Sequence, residues 1–458
     1  MLKCGFYESD ITPPLGLTIP GYPDKRIATG VMRKLFSRAV AFEQGGRGLI
    51  LVSVDAISLA QSVYDTAVAR IEQATGVPAD RILVHATHIH TGGPSRIAAV
   101  EGPYYENEPA YVENLGRLVG DSGVLAWQRL EEATVKAARR DVYGISFVRN
   151  FRMADGTVRT NPGIGNPDIR ETFGTLDPEL GALFVSTREG RPMGVLTNFA
   201  LHHDTIGGYL YSSGYSGFLS DMLKEKYGQG FTQVFINGAC GNINHYDVHA
   251  FPGLFRRDQD GFRRDEQGNI VDPPHVRIAK RLFAELEEMA AEAQPLNVER
   301  LEGKRELVTV DRQDIPQELL EEMEALLKKP LPAGAANPND PTSESYKRSK
   351  AKILLYNAKL PKQRQVWAQA IRLGDAMIFA LPGEIYTEYG KMMKDASPLP
   401  FSMVAELANS ADVPYVPTPE AFEHTDTIYE AHPSSAGFAP DTGTRMAQKA
   451  IEIAKELI

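Results

Sequence analysis

A chain of 458 residues, 43% apolar and 24% charged, has an ordinary globular composition and length enough for two or three units or one large α/β domain. Its formal net charge of −10 argues against nucleic acid or an anionic membrane as the main partner, since both need a basic surface. Cys4 and Cys240 are the two cysteines, far apart in the sequence, which argues against a disulfide framework and a cysteine-based metal knuckle. The opening "MLKCGFYESDITPP" carries no apolar run of signal-peptide length, and no stretch of about 18 apolar residues follows. These features set the expectation of a cytoplasmic protein with no stable membrane insertion.

In chain order, "RGLILVSVDAISL" reads as a buried strand, "SVYDTAVARIEQATG" as a helix closed by glycine, and "DRILVHAT" as the next strand. That βαβ rhythm predicts an α/β fold with a large mixed, mainly parallel sheet flanked by helices. Further strands are expected at "GALFVST", "PMGVLTNFAL", "TQVFING", "AMIFAL" and "FSMVAEL", and helices at "GFLSDMLKEKYG", "HVRIAKRLFAELEEMAAEA" and "TRMAQKAIEIAKELI". Residues 253–274 are charged and turn-rich and read as a surface excursion. Residues 314–365 read as two charged helices around a Pro/Asn/Ala-rich connector, a helical insertion in one domain spanning 1–458.

Four segments carry residues suited to chemistry. In "HATHIHTGGP" (85–94), His88 and His90 are two apart. On an extended chain they share one face, roughly 6.6 Å apart along the strand, and His85 faces the other way. Carboxyl ends of strands are where open α/β sheets place ligands, and His-x-His is a common metal-ligand spacing. The same pair can equally be two polar histidines at a strand end. "NFALHHDT" ends a second strand with His202, His203 and Asp204, of which alternation allows one histidine into a shared site. "FINGACGNINHYD" follows a strand with a Gly-punctuated loop holding Cys240, Asn242, Asn244 and His245, laid out like an oxyanion loop or a tight Asn/Gly turn. "ALPGEIYTEYG" sets Glu384 where it can bind metal or cap a helix, and "NSADVPYVPTPE" places Tyr415 in a Pro-rich loop.

In this order the pieces "GFYESDITPPLG", "VSVDA", "ATHIHTGGP", "NFALHH", "GACGNIN", "LPGE", "YVPTPEAF" and "YEAHPSSAGFAPDTG" resemble the neutral/alkaline, non-lysosomal ceramidase family. The likeness runs along essentially the whole chain and corresponds to that family's catalytic domain. It implies one Zn²⁺ held by His88, His202, Glu384 and Tyr415, with His90 beside it for proton transfer. An arginine that helps bind substrate falls at Arg149 or Arg152, with Arg152 preferred. The family's loop serine, its proposed nucleophile, is matched here by Asn244, whose amide cannot serve as a nucleophile. The family's small C-terminal β domain has no counterpart in the sequence.

The resulting expectation is a zinc-dependent hydrolase in which metal-activated water attacks an amide (N-acyl) bond. Its substrate is a small molecule or N-acyl lipid other than ceramide, with Asn244 and loop N–H groups stabilising the oxyanion. One alternative is a metal hydrolase for a carbohydrate or polyol gripped by Asp204, Asp247, Arg152 and Asn244. A second is a homologue that binds a ligand without turnover.

Overall fold

The computed structural model describes residues 1–22, 25–96, 108–249, 263–264, 268–330, 343–409 and 413–458. Most of the expected surface excursion at 253–274, the 331–342 connector, and residues 410–412 before Tyr415 lie outside the described residues.

The larger of the two main sheets is built from β1 (Lys3–Asp10), β2 (Phe36–Gln44), β3 (Arg47–Val54), β4 (Ile82–Ala86), β5 (Glu131–Asp141), β6 (Glu179–Thr187), β7 (Pro192–Phe199) and β8 (Thr232–Asn237). They lie in the order β8-β7-β6-β5-β1-β2-β3-β4, and the short strand Gln294–Pro295 also pairs with β5. The second sheet runs β9 (Leu301–Asp311), β10 (Gln363–Leu373), β11 (Ala376–Ala380), β12 (Phe401–Ala405) in sequence order.

Side-chain alternation on these strands dictates four layers. Val40, Phe42, Leu49, Leu51, Leu183 and Ile236 of the first sheet meet Ile371, Ile378 and Met403 of the second in one core. The opposite parity of the first sheet packs under two helix pairs. Ala39, Val52 and Val84 lie beneath α1 (Gln61–Thr75) and α2 (Pro109–Gln128). Ala182, Val195 and Phe235 lie beneath α3 (Gly214–Tyr227) and α4 (Pro274–Glu292). The outer face of the second sheet, with Val366, Ala368 and Phe379, is covered by α7 (Thr387–Asp395) and α8 (Thr442–Glu456). Both faces of both sheets are therefore buried, which explains the near-continuous apolar runs of the central strands.

The α/β class and the helix-flanked mixed sheet match expectation, but the pairing corrects the mainly parallel sheet to a mainly antiparallel one. Within the larger sheet only β3–β4 and β7–β8 are parallel, and in the smaller only β11–β12. The reason is local. Gly45 and Gly46 both have positive φ (60° and 81°), as a two-residue hairpin turn requires, and they fold β3 straight back on β2.

Two helices do occupy the region read as a helical insertion: α5 (Gln317–Lys328) and α6 (Glu344–Asn357). Arg348 ties them together by donating to the carbonyls of Leu326, Leu327 and Lys329, the open C-terminal end of α5. Among the described residues, no helix is long and apolar enough to cross a membrane.

Candidate metal centre

The three parallel pairs place the site. Each of their six strands is followed, within a few residues, by a polar or thiol side chain that is buried or, for Glu384, largely so. These are Asp55 after β3, His88 after β4, His202 after β7, Cys240 after β8, Glu384 after β11 and Glu406 after β12. Backbone hydrogen bonds stitch several of these ends together. Thr87 donates to Val54, Ala86 to Leu407, Gly238 to Phe199 and Glu406 to Asn237. Gly241 completes the joint, because a Cβ there would stand 2.4 Å from the carbonyl oxygen of Glu384.

His88, His90 and His202 converge in the buried interior. The Nε2 of His202 lies 3.1 Å from Nε2 of His88 and 3.2 Å from Nε2 of His90. Glu384 Oε2 is 3.2 Å from His88 Nε2. The extended-strand argument for the His88/His90 pair needs correcting, since β4 ends at Ala86 and His88 sits at φ 66°. That left-handed conformation is costly for a residue with a Cβ, on the order of 1–3 kcal/mol, and is kept where the surroundings enforce it. His85 is fully buried. His203 turns away from the cluster, Nδ1 to the Thr87 carbonyl (2.9 Å) and Nε2 accepting from the Ser216 N–H, so one of the two adjacent histidines joins, although both lie beyond the end of β7 at Phe199 and strand alternation is not the cause. Gly93 is closed off by packing on Pro13, where a Cβ would come within 2.4 Å.

The other ring nitrogens settle what these imidazoles present. His88 Nδ1 donates to the Ile57 carbonyl at 2.9 Å, and the His202 ring hydrogen-bonds the backbone of Cys240. Both histidines then aim lone-pair nitrogens at each other, an arrangement that only a proton or a metal cation between them makes favourable. Two buried atoms are orphaned at the same place, His90 Nδ1 and Glu384 Oε2. Burial pushes His88 toward the neutral form, yet the Glu384 carboxylate overrides it and raises its pKa to about 9. Burial and then the His88 charge hold His90 and His202 well below the usual histidine range. Burial raises Glu384, but His88 outweighs it and brings the carboxyl down to about 2. A metal ion would replace the proton that Glu384 draws onto His88. The nitrogen separations resemble those of ligands about one tetrahedral ion with bonds of about 2.0–2.1 Å. His88, His90 and His202 could thus hold a metal ion, and the residues fit the group.

Tyr415 reaches the centre by pairing. Residues Glu384–Ile385 and Tyr415–Val416 form a short parallel ladder in which Glu384 sits opposite Tyr415, and the phenol hydrogen-bonds the Glu384 carboxylate. Burial and Glu384 push that phenol well above its ordinary pKa. Arg149 stands over the Tyr415 ring at 5.4 Å, donating to the Gly241 carbonyl (2.6 Å) and to Glu430 Oε1 (2.5 Å).

The preference for Arg152 is corrected. Its side chain is 47% exposed, pairs with Glu171 at 3.2 Å and stacks on Phe173, whereas Arg149 is the arginine at the cluster. Asn244 is buried, with one amide N–H given to Asn161 Oδ1 (2.6 Å) and its oxygen accepting from the Tyr246 N–H; one N–H is left to offer. Asp204 accepts from the Tyr22 hydroxyl and lies 4.0 Å from His90 Nδ1.

Sequence reading missed Glu406. It is fully buried and takes donors from Asn237 Nδ2 (2.9 Å), Cys240 N (3.0 Å) and Cys240 Sγ (2.9 Å). Burial lifts its pKa to about 8. Its signal was available: an acidic residue ending the apolar strand "FSMVA", the position His88, His202 and Glu384 take on theirs. Cys240 thereby serves as a structural donor with its pKa driven well up by burial, not as a nucleophile.

Neutral ceramidase from Pseudomonas aeruginosa superposes on the whole chain with a TM-score of 0.72 at 18% identity, over 74% of its own length. The chain shares that fold. A ceramidase complexed with C2 aligns equally, with TM-score 0.72, 18% identity, the whole of this chain and 75% of the other. No protein-family model matches the sequence, and no curated protein matches it.

Proposed function

We propose that the chain is a zinc-dependent hydrolase of an amide (N-acyl) bond in a substrate other than ceramide. The observation that carries the reading is the opposition of the His88 and His202 Nε2 atoms at 3.1 Å beside the orphaned Glu384 Oε2, a donor set that lacks only a cation. Likeness of fold to ceramidase supports the hydrolase class. In this reading His88, His202, Glu384 and Tyr415 are the ligands. His90 differs from the other two histidines in having no backbone carbonyl to orient it; its Nδ1 faces Asp204 instead. That suits proton transfer better than ligation.

Zinc bound there would act as a Lewis acid and bring the pKa of a bound water to about 7. The chain's own residues do the rest. His90, neutral at pH 7, accepts a proton at Nε2 while Asp204 faces Nδ1, and it can return that proton to the leaving amine. The Arg149 guanidinium and the free N–H of Asn244 are donors for charge developing on the carbonyl oxygen. One such donor is worth on the order of 3 kcal/mol in other hydrolases.

The rim bears on the substrate. Among the described residues, Tyr22, Asp204 and Tyr429 are groups near the cluster that are partly exposed, which favours a polar molecule over a long-chain lipid base. The sugar or polyol reading loses support, because Arg152 is engaged with Glu171 and Asp247 accepts from the His249 N–H.

The test is metal analysis of the purified protein together with hydrolysis of a panel of N-acyl compounds. One equivalent of zinc is expected, with activity removed by a chelator and restored by zinc. A protein that contains no transition metal and takes none up on reconstitution would end the proposal.

A further inference from the structure

Among the described residues, one cation close to the centre forms no ion pair. Lys350 lies in α6 of the helical hairpin, away from the sheet ends that build the metal centre. Its ammonium sits 4.1 Å above the ring of Tyr429 and donates to Ser435 Oγ at 2.8 Å. The Tyr429 ring packs edge-on against Tyr415, centroids 5.4 Å apart, and Tyr415 hydrogen-bonds Glu384. Lys350 is thus two aromatic rings from the proposed metal. Of the nearby carboxylates, Glu430 is engaged by Arg149 and Thr160, and Glu384 faces His88 and accepts from Tyr415 while its Oε2 has no hydrogen-bond partner.

The helix is held in place for this role. Asn357, in the last turn of α6, donates to the Pro433 carbonyl, and Ser345, Ser349, Ala351 and Leu354 are buried on the same helix. The "YEAHPSSAG" segment therefore does two things: it docks α6 through Pro433 and Ser435, and it sends Tyr429 and Glu430 to Tyr415 and Arg149. Tyr429 is 38% exposed, and Lys350 is itself partly exposed.

We infer that Lys350 binds a monoanionic acid group, a carboxylate, on the substrate, so that the compound hydrolysed is an acid-bearing amide of the N-acyl amino acid kind. This rests on the hydrolase reading above. A half-buried ammonium whose partners are one hydroxyl and the rings of Tyr429 and, at 5.7 Å, Tyr346 gains most from an anion. A single lysine matches a carboxylate, whereas a phosphate dianion is met by arginine forks or several cations. Burial holds the Lys350 pKa down to about 7 against the pull of Glu430 and Glu384, so an arriving carboxylate would bring the ammonium a partner it now lacks.

Binding of N-octanoylglycine and of its neutral counterpart N-octanoylglycinamide to the zinc-loaded protein, measured by calorimetry, tests this. The wild type is expected to prefer the carboxylate by about ten- to a hundredfold, the worth of one charge-assisted hydrogen bond. Lys350→Met should abolish that preference without weakening the amide, and Lys350→Arg should retain most of it. A wild type with no preference, a preference surviving in K350M, or failure of both probes to bind overturns the inference. Turnover of both probes, followed separately, reports on the hydrolase reading: cleavage without preference leaves that reading standing and this one not.

Discussion

Two buried polar clusters meet at Tyr415, and they are built on opposite principles. In one, Arg149 and Glu430 are satisfied: the guanidinium serves Glu430 and Gly241, Thr160 donates to the other carboxylate oxygen, and neither residue has an orphaned atom. In the other, His88, His90, His202 and Glu384 confront one another with lone pairs, one residue is in a left-handed conformation, and two atoms lack partners. An unmet buried polar group costs about 1–3 kcal/mol, so a fold that tolerates several in one place reserves that place for something it binds. Satisfaction marks scaffold, and frustration marks function.

The largest effect should come from the frustrated side. His202 contacts both other histidines, and His202→Ala is expected to remove the metal and lower activity on the order of 10³-fold or more. Its metal-free form should unfold at the same urea concentration as metal-free wild type, or higher, because the opposed lone pairs are gone. Metal content, turnover and denaturation measured on one preparation decide it. A variant that keeps its zinc, or loses stability as a structural histidine would, breaks the contrast.

On the satisfied side the effect should move to stability. Glu430→Gln leaves the buried Arg149 charge without its counter-ion and is expected to cost about 3–5 kcal/mol in urea unfolding while zinc stays bound. Replacing both partners by apolar residues of similar volume should recover much of that loss. If E430Q instead sheds zinc at unchanged stability, the two clusters are one.

How much of this was legible in the sequence follows the same division. The apolar strands, the helices α1, α3, α4 and α8, and His88, His202 and Glu384 as candidates could be read because each sits beside an apolar run that ends abruptly, whereas Tyr415, in a Pro-rich loop, comes in only through the family resemblance. Strands β5 and β9, "EEATVKAARRD" and "LEGKRELVTVD", were hidden by charges on their outer positions. The Gly45–Gly46 turn is explicit in the sequence, but the βαβ rhythm elsewhere points to a mainly parallel sheet and masks what that one hairpin implies. Arg149 and Arg152 cannot be told apart by residue type. What separates them is that Arg152 lies on the exposed part of the short strand Asn150–Met153, while Arg149 precedes it and turns inward.

His85 offers the smallest and sharpest test, because it carries the same imidazole as His88 three residues away in a different environment. Fully buried on β4 with no carboxylate beside it, it is pushed down by burial to a pKa of about 4, opposed only by backbone hydrogen bonds. In the unfolded chain it titrates near 6.5. Between those values the unfolded state holds more protons than the folded one, so stability rises with pH across that window. Its contribution is complete above about pH 6.5 and drains away as the pH falls toward 4, with a slope of at most about 1.4 kcal/mol per pH unit. His85→Leu should therefore flatten the dependence of urea-unfolding free energy on pH by up to one proton between pH 6.5 and 4.5, with zinc content unchanged. Equal slopes in variant and wild type would mean that His85 accepts its proton while folded. The difference drawn between a buried imidazole that stays neutral and one charged by Glu384 would then fail at its simplest point.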